Sequence, residues 1–140
     1  MQNIFVYGTL LSPVILEKLT GKSFKTSEAV LFGYKRYCVK NSDYPAIIQQ
    51  EGSKTTGLVV ENVDDSTLEV LSFYEGVEYE KKLVTVNWNG KSADALTFVW
   101  ANGSEFLEVE DWDFNRFKKN YLKHYLLDVI PETLESFNKK

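Results

Sequence analysis

Two glycine turns contain the residues of this chain whose types and spacing could support chemistry. VYGTLL (6–11) follows an apolar run near the N-terminus, and FYEGVEY (73–79) carries a carboxylate. Successive backbone N–H groups in a turn can bind a carboxylate or stabilise an oxyanion without a charged side chain. A β-carbon at Gly8 is expected to block such an approach. The alternatives are a plain strand-to-helix turn at the first site and a solvent-exposed carboxylate at the second.

Other catalytic patterns are missing from the sequence. The single histidine, His124, lies in a predicted surface helix, and the single cysteine, Cys38, fits a predicted strand as a small apolar residue. Neither supports a triad built on a histidine. The sequence contains no GxxxxGK[ST] or GxGxxG loop for nucleotide phosphates and no HExxH or DxDxDG pattern for a metal. We therefore expect no cofactor and no metal.

Composition limits the partners and the compartment. The formal net charge is -4 and the lysines are scattered, so the basic face typical of nucleic-acid binding is missing. One cysteine rules out an internal disulfide. No segment reaches the roughly 18 apolar residues of a membrane helix, and Gly8 and Pro13 interrupt the uncharged stretch 4–16. These features predict a cytoplasmic protein without nucleic-acid or membrane partners, and they leave the oligomeric state open.

Strands and helices are predicted in separate parts of the chain. Branched and aromatic residues predict strands, and Asn89-Gly90 predicts a hairpin. Helix signals begin at Ser12, at Asp64 and at Asp111, and Pro131 opens a short last helix. The predicted strands are NIFVY (3–7), EAVLFGYKRYCV (28–39, bent at Gly33), PAIIQQ (45–50) and TTGLVVENV (55–63) around a turn at Gly52, and then YEKKLVTVNW (79–88) and KSADALTFVW (91–100).

This arrangement predicts an α+β fold. Short strands with hairpin connections favour a small, mixed and largely antiparallel β-barrel with flanking helices, and an open sheet covered on one face is the alternative. A length of 140 residues predicts one domain, 1–140, with a C-terminal helical segment from about 111. The aromatic stripe from Phe114 to Tyr125 is expected to pack in the core, as are Trp100 and Trp112.

Four segments, in this order, resemble the gamma-glutamylcyclotransferase-like superfamily. They are VYGTLL (6–11), YPAI (44–47), GLVVENV (57–63) and LSFYEGVEYEKKLVTV (71–86). DWDF (111–114) and the helix after it are most similar to the AIG2-like branch, and the resemblance covers about residues 3–127. It implies a gamma-glutamylcyclotransferase-like fold, a small barrel with a pocket at one mouth.

The resemblance also implies a reaction. The α-amine of a small-molecule gamma-glutamyl substrate attacks its own γ-carbonyl, which yields 5-oxoproline and releases an amine. By this resemblance Glu75 is the catalytic acid/base, and the substrate-binding residues are Tyr7, Gly8, Thr9, Leu10 and Tyr79.

We expect apolar neighbours of Glu75, such as Phe73, Tyr74 and Val77, to raise its pKa toward neutrality. Tyr44 and Pro45 are candidates for the border of the pocket. The alternative function is a non-catalytic small-molecule-binding or stress-response protein that uses the same pocket. The sequence leaves open which amine is released.

Overall fold

A six-stranded sheet closed on itself forms the centre of the molecule in the computed structural model, which describes residues 1–139. The strand order is β3-β1-β5-β4-β2-β6, and an additional pairing of β2 with β3 closes the barrel. β1 and β5 are parallel, and the other pairs are antiparallel. The strands are β1 (Gln2–Val6), β2 (Thr26–Val39), β3 (Pro45–Val63), β4 (Tyr79–Trp88), β5 (Lys91–Trp100) and β6 (Leu107–Glu108).

The predicted α+β barrel is confirmed. Its closure is loose between β2 and β4, which pair only at Ala29–Trp88 and Val30–Asn87. Lys140, the last residue of the predicted domain, lies outside the described residues. Within residues 1–139, no helix combines the length and apolarity needed to cross a membrane.

The first two helices begin and end where local signals predict, whereas the helix predicted from Asp111 begins at Phe114, with Asp113 as its N-cap. The side chain of Ser12 accepts a hydrogen bond from the Ile15 N–H at 3.2 Å, and that of Asp64 accepts one from the Thr67 N–H at 2.8 Å. Gly21, with φ at 72°, ends the first helix. The helices are α1 (Pro13–Thr20), α2 (Asp65–Glu75), α3 (Phe114–Asn120), α4 (Leu122–His124) and α5 (Ile130–Asn138); 3₁₀ turns cover Thr9–Leu11 and Ser104–Phe106.

The strand break predicted at Gly52 is wrong, because β3 runs without interruption from Pro45 to Val63. The pairing of β2 with β3 jumps from Phe32–Lys54 to Tyr34–Gln49, so residues 50–53 bulge out of the ladder while the strand continues. Gly33, with φ at 86°, supplies the matching bend in β2, as predicted.

The C-terminal helical segment is less regular than its sequence pattern predicts. Between α4 and α5 the chain forms a π-helical turn, Tyr125–Val129. Pro131 follows it and has no N–H to donate to the preceding turn, which is a common cause of such irregularity. Phe117 is buried as predicted, whereas Tyr121 is 39% exposed. The surface position predicted for His124 is confirmed, and its Nδ1 lies 3.0 Å from an Asp128 carboxylate oxygen.

Candidate active site

The first glycine turn begins directly after β1 and packs against the start of β3. Gly8 has a φ of -127°, so the positive φ that often requires glycine does not apply here. A β-carbon at this position would lie 2.9 Å from both Cδ and Cγ of Pro45. Glycine is therefore needed because the Pro45 ring approaches the turn, and not simply because a ligand does.

The backbone of this turn leaves three N–H groups available. Leu11 N–H donates to the Gly8 carbonyl at 2.9 Å, and Ser12 N–H donates to the Thr9 carbonyl at 3.1 Å. The first N–H groups of a helical turn have no acceptor inside it. The N–H groups of Gly8, Thr9 and Leu10 donate no hydrogen bond within residues 1–139. All three residues line one cavity.

Glu75 lies at the border of the same cavity. It is the last residue of α2, which ends at Gly76 because that glycine adopts a φ of 89°. The Glu75 side chain is partly buried and makes no hydrogen bond to the described part of the chain. Burial raises the pKa of its carboxyl to about 8. The predicted direction of this pKa shift is thus reproduced.

Only some of the residues expected to bury Glu75 lie beside its cavity. Val77 is 99% exposed, so it does not shield the carboxyl. Tyr74 lines the larger cavity, as expected, and so does Tyr79, whereas Tyr44 and Tyr125 come from segments distant in sequence. Tertiary contacts, rather than neighbouring residues alone, thus remove solvent from Glu75.

The hydroxyl groups of Tyr7 and Tyr79 are already engaged with the main chain. Tyr7 Oη donates to the Phe98 carbonyl at 2.6 Å, and Tyr79 Oη donates to the Pro45 carbonyl at 2.8 Å. Burial raises the pKa of both phenols above the ordinary range. Both side chains therefore remain neutral and shape the cavity, and neither is poised to transfer a proton.

A hydrogen bond between side chains joins the first glycine turn to the end of α2. Thr9 Oγ1 lies 2.6 Å from the hydroxyl oxygen of Tyr74, the residue before Glu75. This hydrogen bond connects two segments separated by 65 positions. It fixes the distance between the available N–H groups and the carboxyl.

Glu75 lines two cavities, which also share Thr9, Tyr44 and Tyr79 as lining residues. The smaller, of about 20 Å³, adjoins the Gly8 turn. The larger, of about 160 Å³, extends toward the C-terminal helices. All the predicted site residues therefore line the smaller cavity: Tyr7, Gly8, Thr9, Leu10, Glu75 and Tyr79.

Sequence reasoning missed the wall supplied by the C-terminal segment. Tyr125, Val129 and Thr133 line the larger cavity. Tyr125 was expected to be a core residue; it is 5% exposed, but its hydroxyl makes no hydrogen bond within residues 1–139. The sequence predicts only a core stripe that ends at Tyr125 and a helix that opens at Pro131, and neither pattern indicates a cavity wall. Tyr44 and Pro45 line the smaller cavity, as predicted.

A larger groove of about 620 Å³ lies elsewhere on the surface, beside Leu11, Arg36 and Phe114. It includes none of the predicted site residues. We assign the site to the smaller cavities because they contain the unpartnered carboxyl and the available N–H groups. No cluster of three or more potential metal ligands is found among residues 1–139.

The comparison with known protein families agrees with this geometry. The model of the family described as "Gamma-glutamyl cyclotransferase, AIG2-like" matches residues 4–114. The chain belongs to this family. The match contains both glycine turns and ends before the C-terminal helices that line the larger cavity. The resemblance predicted from the sequence is confirmed.

Relatives from Arabidopsis thaliana resemble this AIG2-like chain over most of its length. AIG2-like protein D is 33% identical across 99% of this chain and 92% of its own. Protein AIG2 C is 33% identical across 83% of this chain and 72% of its own. A solution structure from the same plant has a TM-score of 0.71 and 29% identity, covering 99% of this chain and 84% of its own. A solved gamma-glutamyl cyclotransferase shares the fold, with a TM-score of 0.65 and 22% identity over 76% of this chain and 68% of its own.

Proposed function

We propose that this protein cyclises a gamma-glutamyl amide to 5-oxoproline and releases an amine, with Glu75 as the acid/base. One observation carries the proposal: a carboxyl with a pKa of about 8 and no protein partner lines the same cavity as three available backbone N–H groups. A general acid/base is most effective when its pKa lies near the working pH. Family membership supports the same reaction class.

The reaction needs no nucleophilic side chain, because the substrate contains both the nucleophile and the electrophile. The α-ammonium loses a proton to the Glu75 carboxylate, and the resulting amine attacks the γ-carbonyl carbon. The new C–N bond closes a five-membered ring while the carbonyl electron pair moves to oxygen. When the C=O bond re-forms, the bond to the leaving nitrogen breaks, and that nitrogen takes the proton from Glu75. The ring nitrogen then loses its second proton through the Glu75 carboxylate to the released amine, which departs as an ammonium. The products are 5-oxoproline and an amine.

Three effects lower the barrier. The N–H groups of Gly8, Thr9 and Leu10 stabilise the charge that develops on the carbonyl oxygen, and one well-aimed donor contributes about 2.7 to 4 kcal/mol. Holding the glutamyl chain folded contributes within the roughly 7 to 11 kcal/mol that ideal orientation supplies. Proton transfer by Glu75 adds a factor of about 10² to 10⁴.

The test is a turnover assay with a panel of gamma-glutamyl amides, in which 5-oxoproline and the released amine are both quantified. Glu75→Gln is expected to lower kcat/KM by at least about 100-fold. Glu69→Gln, an exposed position on the same helix, is the matched control and is expected to behave like the wild type. Absence of 5-oxoproline for the whole panel contradicts the activity, and full activity of Glu75→Gln contradicts the mechanism.

A non-catalytic binding function is the second candidate. The cavity beside the turn, about 20 Å³, has room for about one water molecule, so the walls must move before a substrate carbonyl can reach the N–H groups. A protein that binds but does not turn over is expected to show a higher Tm with a gamma-glutamyl compound and no 5-oxoproline. The same panel, followed by thermal denaturation, separates the two functions.

A further inference from the structure

Arg36, on β2, contacts the main chain of the first glycine turn. Its Nη1 donates to the Tyr7 carbonyl at 2.9 Å. Its Nε and Nη2 donate to the two carboxylate oxygens of Asp111 at 2.8 and 3.3 Å, and its Cζ lies 5.9 Å from the Trp112 ring. The side chain of Arg36 is only 15% exposed. The guanidinium is therefore held in one orientation by an ion pair, a ring and the turn itself.

The peptide group between Tyr7 and Gly8 separates Arg36 from the cavity. Every described peptide bond is trans, and the C=O and N–H of a trans peptide point in opposite directions. Arg36 lines the groove of about 620 Å³ and lines neither cavity that contains Glu75. Because Arg36 holds the Tyr7 carbonyl toward this groove, the N–H of Gly8 is directed to the other side of the turn, where the cavity lies.

The side chain of Tyr7 is fixed independently. Its hydroxyl donates to the Phe98 carbonyl on β5 at 2.6 Å. With the Tyr7 side chain fixed, the peptide plane between Tyr7 and Gly8 can still rotate. The hydrogen bond from Arg36 restrains this rotation. A hydrogen bond from a charged donor is shorter and stronger than a neutral one, and it polarises the amide that accepts it.

We propose that Arg36 is a positioning residue that orients the Gly8 N–H toward the reacting carbonyl oxygen and increases the partial positive charge on it. The inference rests on the proposed cyclotransferase function, since it assigns a role to the Gly8 N–H in that reaction. Arg36 acts through the Tyr7–Gly8 peptide and does not touch the substrate. Arginine suits this position because one planar fork reaches the Tyr7 carbonyl and both oxygens of Asp111, which a lysine ammonium cannot do.

The kinetic test compares Arg36→Gln and Arg36→Lys with Arg116→Gln. Arg116 is the other arginine of the chain, and it lies exposed on α3, so this control removes the same charge away from the turn. Misplacing one catalytic contact costs up to about 100-fold, so Arg36→Gln is expected to lower kcat by about 10- to 100-fold. KM is expected to change less than about threefold, because the lost contact acts in the transition state. Arg36→Lys is expected to be intermediate, and Arg116→Gln to match the wild type.

The second readout is the Gly8 amide resonance in a ¹⁵N–¹H spectrum, which needs no turnover. Arg36→Gln is expected to shift this resonance, and Arg116→Gln is expected to leave it in place. A wild-type kcat in Arg36→Gln overturns the inference, and so does an unchanged Gly8 resonance. A fall in kcat that matches the loss of folded protein, with no intermediate value for Arg36→Lys, also overturns it, because the role is then purely structural.

Failure of the proposed function gives a different result. If the wild type turns over no gamma-glutamyl amide, the cyclotransferase proposal falls, and the Gly8 resonance alone decides whether Arg36 orients the peptide. A shift of that resonance in Arg36→Gln then supports the orientation by Arg36, and an unchanged resonance overturns it.

Discussion

Glu75 has a partly buried carboxyl with no cation beside it among residues 1–139. Buried charges are normally paired, and an unpaired carboxyl becomes neutral instead of carrying the cost of desolvation. No lysine or arginine lines the two cavities around Glu75 within the described chain. A substrate α-ammonium would supply the missing cation and favour the ionised carboxylate. In the proposed reaction, substrate binding therefore activates the base.

The first prediction at this scale concerns pH. Because burial raises the pKa of Glu75 to about 8 in the free protein, kcat/KM should fall as the pH drops below that value. The decrease should approach about tenfold per pH unit, as expected for one essential ionised group. Initial rates from about pH 6 to about pH 9 test this, and a flat profile over the range would show that ionisation of Glu75 does not limit the reaction.

The second prediction at this scale concerns stability. The pKa of Glu75 rises from an ordinary value of 4.5 to about 8 on folding, so between these values the folded chain binds more protons than the unfolded chain. The contribution of Glu75 to the free energy of unfolding is therefore at its maximum below pH 4.5, and it is lost as the pH rises through about 8. Glu75→Gln should therefore raise the free energy of unfolding at about pH 9, by ~1–2 kcal/mol once partial solvent access is allowed for.

Urea denaturation of both proteins at about pH 4.5 and about pH 9 measures this difference. The gain in the free energy of unfolding of Glu75→Gln should be present at the higher pH and nearly absent at the lower pH. Glu69→Gln, which replaces an exposed carboxyl on α2, should show no comparable change. Equal stability of wild type and Glu75→Gln at high pH would mean that solvent reaches the carboxyl freely.

At the scale of elements, the site depends on how closely the turn after β1 approaches the first residue of β3. The Pro45 ring touches the place where a side chain of residue 8 would stand, and the Pro45 carbonyl accepts the hydrogen bond from Tyr79. One residue therefore sets the position of the turn and of a cavity wall on β4. Thr9 and Tyr74 set the distance from the turn to α2 in the same manner.

The prediction for this contact is a double-mutant cycle. Gly8→Ala should cost ~1–3 kcal/mol of stability, because its β-carbon would lie 2.9 Å from the Pro45 ring. Pro45→Ala removes the ring, so the double variant should recover at least ~1 kcal/mol of the loss expected from additivity. Chemical denaturation of the four proteins measures the coupling. Strict additivity would contradict the assigned role of Gly8.

At the scale of the whole molecule, barrel closure brings together segments that are far apart in sequence. The turn at residues 8–10, the start of β3, the end of α2 and the start of β4 meet at one mouth of the barrel. β1 makes this possible by pairing with β3 on one side and with β5 on the other. The C-terminal helices then cover the larger cavity. Residues outside the matched family segment thus limit the size of the larger cavity.

The prediction at this scale tests the seam between β1 and β3. A β-carbon on Gly57 would overlap the Val6 carbonyl oxygen, and backbone atoms cannot yield as a flexible side chain can. Gly57→Ala should therefore lower the free energy of unfolding by at least ~2–3 kcal/mol. Gly52→Ala, at a positive φ with open space around it, should cost ~1–2 kcal/mol. If Gly52→Ala lowers the free energy of unfolding in urea more than Gly57→Ala does, the close packing of β1 against β3 at Gly57 is contradicted.

The sequence by itself determined the local elements and the family. The caps at Ser12 and Asp64, the Asn89-Gly90 hairpin and the glycine after Glu75 each depend on interactions within a few residues, so they can be predicted from neighbours. The order of the two glycine turns carried the resemblance that the family match confirms. The continuous β3 could not be predicted, because its bulge lies opposite the bend in β2 and so depends on the pairing of two strands.

Only the tertiary structure decided what these elements do together. Several features of the site join positions that are distant in sequence. They are the contact of Gly8 with Pro45, the hydrogen bond from Arg36 to the Tyr7 carbonyl, and the exposure of the Tyr125 side chain to the cavity. The pKa of Glu75 also depends on distant residues such as Tyr44 and Tyr125, because burial is a property of everything packed around a group and not only of its neighbours in the chain.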